Sequence, residues 1–223
     1  MLFRSKEVLR ESRVGLSEKL VAWIARAEVK PRLLLSASAI GYYGIQVADD
    51  DRFLDESAPP QVIFMSQLCQ EWEAAVNRAQ DYGVTVCTMR FGLVLGRQGA
   101  LPMMLLPIKL GLGGALGRGT QWYSWIHVQD LLGGIAHLWN VDASAAYNFT
   151  APESVTQKEF SHVAATLLHR PCIFPTPAFL LRILLGEQAD LLVEGQRVTP
   201  RRLLETGFQF QYPILSLALK DLL

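Results

Sequence analysis

Between residues 6 and 91 the chain alternates between helical and strand periods, and that alternation restricts the possible folds more than any single motif. Lys6 to Ala27 carries Val8, Leu9, Val14, Leu16, Leu20, Val21 and Ile24 near helical spacing, which predicts an amphipathic helix. Arg32 to Ser36, just after Pro31, is a short apolar run of the kind buried on both faces of a sheet. Gln61 to Tyr82 predicts a second helix, with Met65, Leu68, Trp72, Ala75 and Ala79 on one stripe and Gly83 ending it. Val84 to Phe91 is rich in β-branched residues and reads as a strand. Helix, strand, helix, strand in that order argues for an α/β fold of parallel strands with crossover helices.

The first predicted strand runs into "LLLSASAIGYYG", Leu33 to Gly44. A strand that merely ends needs one turn residue. This one presents the hydroxyls of Ser36 and Ser38 and the phenols of Tyr42 and Tyr43 between glycines. In open α/β sheets ligands sit outside the carboxyl ends of the strands. Ser38 lies there, and its hydroxyl could donate to a substrate oxygen. The plainer reading is that small residues pack where a strand meets a turn.

Composition narrows the function classes. The chain has 223 residues, half of them hydrophobic, enough for a sizeable core. With 21 basic and 21 acidic residues and no basic block, it is not expected to bind nucleic acid or an anionic membrane wholesale. Cys69, Cys87 and Cys172 form no CxxC pair, which fits reduced thiols in a cytoplasmic protein with no metal site. No apolar run is long enough to span a bilayer.

From Gly92 the texture changes to glycine-rich loops around a short helix at Pro102 to Leu110. "QWYSWIHVQD" reads as a strand turning into a helix at Val128 to Trp139, and "AAYNFTAPE" holds a short strand. Further helices are expected at Thr156 to His169, at Ala178 to Leu185 and on either side of Gly207, with a soft domain boundary near Pro152. "GLGGALGRG" is not a dinucleotide fingerprint, because its spacing is not G-x-G-x-x-G and no initial strand precedes it. It reads as a loop over a cleft. Arg118 in that loop could meet an anion, or be a solvated arginine. Asp130 suits the first turn of its helix, where a carboxylate meets the positive dipole end. No Walker, G-x-S-x-G or H-E-x-x-H motif occurs.

Four stretches, "SASAIGYYG", the run from Arg90 to Asp130, "YNFTAPESVTQKEF" and "LLVEGQRVTPRRLLETGFQFQYP", resemble the YfcH-like epimerase family of the extended short-chain dehydrogenase/reductase superfamily. The resemblance covers nearly the whole chain. It implies a partial Rossmann-type parallel sheet that binds NAD(P) over residues 1–152, with a substrate-side loop at 96–122. A small C-terminal α/β substrate domain follows over 153–223, similar to DUF1731 from about residue 175. By the same resemblance Ser38 takes the catalytic-serine position, and Tyr42 and Tyr43 are the nearby phenols. Ser36, Arg90, Gly92, Leu93 and Val94 run beside the cofactor; Arg118, Gln121 and His127 face the substrate. The family's opening G-x-x-G-x-x-G turn is absent, so the chain is expected to be truncated and to hold NAD(P) weakly on its own. The superfamily's Y-x-x-x-K pair is replaced by Ile63 and Gln67, neither of which can run its proton transfer. The expected activity is NAD(P)-dependent epimerase or reductase chemistry on a small polar or nucleotide-sugar substrate. The rivals are a non-catalytic nucleotide- or partner-binding protein and a fragment without independent function. An unpaired edge at Leu33 to Leu35 is expected to favour self-association.

Overall fold

The computed structural model describes residues 2–47, 50–142, 144–174 and 195–223. The expected helix at Ala178 to Leu185 and the start of the DUF1731-like stretch lie outside the described residues. The chain opens with α1 (Leu2–Arg10), a π turn at Glu11–Gly15 and α2 (Leu16–Arg26), helical throughout as the periodicity predicts. Only the end of its apolar stripe packs: Val21 and Ile24 are buried, while Val8, Leu16, Leu20 and Trp23 are exposed.

The first strand, β1 (Leu33–Ala39), runs three residues beyond the expected Ser36. The reason is pairing: Ala37, Ser38 and Ala39 stay in register with Met89, Arg90 and Phe91 of β2 (Thr85–Phe91). A 3-10 turn, Ile40–Tyr43, follows β1 directly. The next helix, α3 (Phe64–Asn77), begins three residues later than Gln61 and continues as a 3-10 turn to Tyr82. Gly83 closes it in the left-handed conformation, the C-terminal signal read from the sequence.

After β2 come β3 (Leu93–Leu95), α4 (Ala100–Lys109), β4 (Trp122–Tyr123), β5 (Trp125–His127), α5 (Val128–Leu138) and β6 (Ala145–Phe149). The main sheet is parallel, in the order β1-β2-β6. Its side chains alternate by the two-residue pleat. Leu34 and Val86 meet Val21, Ile24, Val76 and Ala79 on the α2–α3 side. Leu33, Leu35, Cys87, Met89, Tyr147 and Phe149 meet Ile135, Leu138 and Leu203 on the α5 side. Helices on both faces of a parallel sheet make the α/β arrangement of parallel strands with crossover helices that the alternation predicts. Among the described residues, no strand pairs with the outer edge of β1.

The remaining elements are β7 (Val155–Thr156), α6 (Gln157–Leu167), α7 (Arg201–Glu205) and α8 (Leu215–Leu222). β7 pairs antiparallel with β4, and β3 pairs parallel with β5. A separate core gathers Leu101, Leu105 and Ile108 of α4, Trp125, Phe160 and Ala164 of α6, and Leu215 and Leu219 of α8, so residues on both sides of Pro152 build it. No described helix is long and apolar enough to cross a membrane.

A capping box starts α6: the Thr156 hydroxyl accepts the Glu159 N–H, and Glu159 Oε2 accepts the Thr156 N–H at 2.7 Å. Thr156→Ala is expected to cost about 1 kcal/mol, because the first turn loses a bonded donor. Urea denaturation checks this; an unchanged midpoint would show that the box is dispensable.

Candidate functional site

Ser38, Arg90 and Asn148 are direct register partners near the carboxyl ends of β1, β2 and β6. In-register parallel pairing puts the three polar side chains in one row across the sheet. The segments after the strands and α3 cover that row. The result is a buried polar network rather than an apolar layer.

At its centre Arg90 Nε donates to Glu73 Oε1 at 2.8 Å and Nη2 donates to Glu73 Oε2 at 2.7 Å, a two-point match of fork to carboxylate. The Ser38 hydroxyl donates to Glu73 Oε1 at 2.7 Å. Arg90 Nη1 donates to the Tyr43 hydroxyl at 3.0 Å, and that hydroxyl donates to Asn148 Oδ1 at 2.7 Å. Ser38, Glu73 and Arg90 are 3%, 7% and 4% exposed. Burial opposes the charge on Arg90, but Glu73 and then Tyr43 outweigh it and raise the guanidinium pKa above its ordinary value. Burial pushes the Tyr43 phenol up to about 12, against the opposing pull of Arg90. Tyr43 is therefore neutral and fully bonded.

The row continues to Glu56, which accepts the Asn148 N–H at 2.9 Å and the Arg202 N–H, at the start of α7, with both oxygens at 3.3 Å. Burial raises the pKa of this carboxyl, with the three backbone bonds pulling the other way. The Asn148 side-chain amide donates to the Thr199 carbonyl at 2.9 Å. Residues 199–202 thus help close the end of the sheet.

Of the sequence candidates, the structure brings Ser38, Tyr42, Tyr43 and Arg90 together. Tyr42 is half-buried, with its ring centroid 3.4 Å from the Arg90 guanidinium carbon. Ser36 is half-buried, and its hydroxyl makes only a long bond to the Ala37 carbonyl at 3.3 Å. Ile63 precedes the first residue of α3, and Gln67, one turn on, bonds back to the Ile63 carbonyl at 2.9 Å. Gly92, Leu93 and Val94 line an open cleft of about 610 Å³ with residues 96–100 and Val128. Gly92 also lets two strands approach, since a Cβ there would stand 2.4 Å from the Ser124 carbonyl oxygen.

The three substrate-side candidates are not part of the network. Arg118 is exposed on the loop between α4 and β4. Gln121 is buried; its amide donates to the Leu116 carbonyl and its carbonyl accepts the Gln157 N–H, so it shapes that loop from within. His127 is fully buried at the start of α5. Its Nδ1 accepts the Gln129 N–H at 3.1 Å, its ring stacks on Tyr212 at 3.8 Å, and its Nε2 lies 3.3 Å from Asp221 Oδ2. Asp130 accepts the N–H groups of Gln211 and Tyr212, so the "HVQD" segment anchors the stretch before α8. Among the described residues there is no cluster of metal-ligating groups.

The sequence reading missed Glu73, Asn148 and Glu56. One signal was present for Glu73: it falls with Cys69 and Val76 on the buried face of α3, and a carboxylate on a buried face needs a partner. Asn148 and Glu56 carried no such signal.

Burial lowers the His127 pKa, and the nearby Asp221 and Asp130 only partly offset this. A depressed histidine pKa means that the folded state resists protonation. Its stabilising contribution is whole above the unfolded value of about 6.5 and is lost as pH falls below it. His127→Asn keeps an acceptor for the Gln129 N–H. The stability difference between wild type and variant is expected to shrink as pH drops from 7 to 5; urea midpoints that fall in parallel would contradict the assignment.

The NAD dependent epimerase/dehydratase family profile matches residues 3–149, and the DUF1731 profile matches residues 176–222. The epimerase family protein YfhF of Bacillus subtilis (strain 168) is 37% identical over 221 residues, covering 99% of this chain and 72% of the relative. The chloroplastic SDR39U1 homolog of Arabidopsis thaliana is 38% identical over 222 residues, covering 98% of this chain and 63% of the relative. The crystal structure of human epimerase family protein SDR39U1 (isoform 2) with NADPH superposes with a TM-score of 0.88 at 35% identity, covering 96% of this chain and 72% of that one. The nucleoside-diphosphate sugar epimerase of Corynebacterium glutamicum gives a TM-score of 0.78 at 30% identity, covering 97% of this chain and 43% of that one. With a parallel α/β sheet, polar groups gathered at its carboxyl edge and these matches, the chain belongs to the NAD dependent epimerase/dehydratase family, with a C-terminal DUF1731 region.

Proposed function

We propose that the carboxyl edge of this sheet serves NAD(P)-linked redox or epimerase-type chemistry on a small polar substrate of the nucleotide-sugar kind. The observation that carries the reading is the row Ser38, Arg90, Asn148, with the phenols of Tyr42 and Tyr43 against it. Such a row holds hydroxyl groups at fixed positions at the edge where open α/β sheets take their ligands. Ser38 and Tyr42 are the proposed catalytic group, with Tyr43, bonded to Arg90 and Asn148, holding the row behind them. Ser36, Arg90 and Gly92 to Val94 are proposed for the cofactor side and Arg118 for the substrate side, with buried Gln121 and His127 supporting the substrate side from within. The NADPH in the human relative's structure and the description of the Corynebacterium glutamicum relative as a nucleoside-diphosphate sugar epimerase support the cofactor and substrate classes.

The residues present suit one end of a dinucleotide better than the other. Half-buried Ser36 and Tyr42 and the cleft at Gly92 to Val94 suit its redox end, where the nicotinamide would supply hydride transfer. A pyrophosphate calls for the backbone donors of a glycine-rich turn between a strand and a helix; the G-x-x-G-x-x-G spacing here, Gly111 to Gly117, instead follows α4 and precedes β4. The chain's own residues would orient a substrate hydroxyl or carbonyl and keep water from the polar row. The 223-residue chain is proposed to hold the cofactor weakly. A second reading, a nucleotide- or partner-binding protein without turnover, is favoured by Ile63 and Gln67 at the proton-transfer positions.

Calorimetric titration with NADPH, NADH and UDP-glucose tests this. Dissociation constants in the millimolar range are expected for the nicotinamide cofactors. Micromolar binding would overturn the weak-binding reading, and no heat at any accessible concentration would overturn the NAD(P) reading itself.

Self-association through the outer edge of β1 is proposed alongside. Unpaired strand groups recruit a further strand, and among the described residues the outer edge of β1 is unpaired, while Val8, Leu16, Leu20 and Trp23 of α1 and α2 leave apolar surface exposed. Light scattering behind size exclusion is expected to show dimers or larger species. A monomer across a wide concentration range, with one sharp thermal transition, would sink this.

A further inference from the structure

The two adjacent phenols after β1 are in opposite situations. Tyr43 is 2% exposed, and its hydroxyl is occupied by Arg90 and Asn148. Tyr42 is half-buried, and no described group hydrogen-bonds its hydroxyl. A group that meets a ligand must be reachable and must have a hydrogen bond to spare. Tyr43 fails on both counts and Tyr42 satisfies both.

The Tyr42 ring is also fixed in place. The Arg90 guanidinium carbon lies 3.4 Å from its centroid, well inside the range of cation–π contact. Tyr43 packs edge-on against it, with centroids 5.4 Å apart. The backbone carbonyl of Tyr42 accepts the Ser66 hydroxyl at 2.5 Å. Arg90 can serve as a platform only while its own plane is held, and the paired bonds to Glu73 hold it. Glu73 is 7% exposed and shares its Oε1 with the Ser38 hydroxyl, so its influence on the edge passes through these two neighbours.

We propose that Tyr42 is the phenol that meets the ligand, donating its O–H to a substrate oxygen, and that Glu73 is a positioning residue acting on it through Arg90. This rests on the reading that the edge takes an NAD(P)-linked substrate. The charged and titratable groups around the phenol pair are Arg90 from β2, Glu73 and Cys69 from α3, and Glu56 from the loop before α3. Glu73 is the carboxylate paired directly with the guanidinium under Tyr42. Its removal leaves that positive charge unbalanced beside the ring.

Nitration by tetranitromethane with peptide mapping tests the assignment, because a nitrated tyrosine carries its own optical titration. Tyr42 is expected to react and Tyr43 to be spared, with Tyr82, which is 39% exposed, as the internal control. In a Tyr82→Phe background, Glu73→Gln is expected to move the titration of nitrated Tyr42 to lower pH, and Glu73→Asp to restore it. A purely structural Glu73 would leave that titration in place. Should Glu73→Gln not fold, Arg90→Lys provides the second variant: it keeps the charge, loses the planar fork, and is expected to expose Tyr43 to nitration. Preferential nitration of Tyr43 in the wild type overturns the proposal, as does an unmoved titration in Glu73→Gln or continued sparing of Tyr43 in Arg90→Lys.

NADPH and UDP-glucose, added as probes, are expected to slow nitration of Tyr42 severalfold and leave Tyr82 unaffected. If calorimetry detects binding but Tyr42 is not protected, this proposal fails and the functional reading stands. If neither probe binds, the functional reading fails and takes this proposal with it.

Discussion

Arg90 and Glu73 are both almost wholly buried, so neither charge can be left without the other. Removing charges from water costs several kcal/mol per ion even after relaxation, on the order of what a small domain has in reserve. The pair persists because the carboxylate matches the guanidinium at two points and the leftover capacity is used by Ser38 and Tyr43. This has a geometric consequence. Glu73 belongs to α3, Arg90 to β2, Ser38 to β1, and Asn148, reached through Tyr43, to β6. One buried charge pair therefore sets how the helix sits on the sheet and how the three strand ends are spaced.

The same arrangement explains why the carboxyl edge is polar although the rest of the sheet is not. Farther back along β1 and β2 the side chains on the α3 side are Leu34 and Val86, packed on Val76 and Ala79. Two pleat repeats later the same side of these strands carries Ser38 and Arg90. An apolar layer there would pack equally well but would offer nothing to a ligand. A networked polar layer costs stability unless every member is satisfied. Here each of Ser38, Arg90, Tyr43 and Asn148 has a partner, and Tyr42 is the member with an unbonded hydroxyl.

The stretch after residue 195 is part of this edge and not an appendage to it. The Thr199 carbonyl receives the Asn148 amide, and Glu56 is shared between the Asn148 and Arg202 N–H groups. Gln46 and Leu54, in the loop after β1, form bridges with Gly195 and Val198. Residues 195–202 are thus coupled to the strand ends by hydrogen bonds. A change in one side would be felt on the other.

The order of helices and strands from residue 6 to 91 and the parallel α/β class were legible in the sequence. Helix and strand periods are local properties of where apolar side chains fall, and Gly83 and the Thr156–Glu159 pair are local punctuation. "SASAIGYYG" stood out because serine and tyrosine pairs in a glycine turn are visible within a dozen residues, and the structure places Ser38, Tyr42 and Tyr43 around Arg90. Only the fold shows which of those residues have their hydroxyls occupied: Tyr43 is bonded to Arg90 and Asn148, and Tyr42 is not. Whether Tyr42 or Tyr43 is free depends on Asn148, more than a hundred residues away, and on Arg90, held in turn by Glu73 of α3. It also decided that His127 turns inward onto Tyr212, since a histidine before a helix can cap it, pack or bind. Local pattern reports which face a residue is on; partner choice comes from register across strands and from the cost of burying a charge alone, and both exist only once distant segments have met.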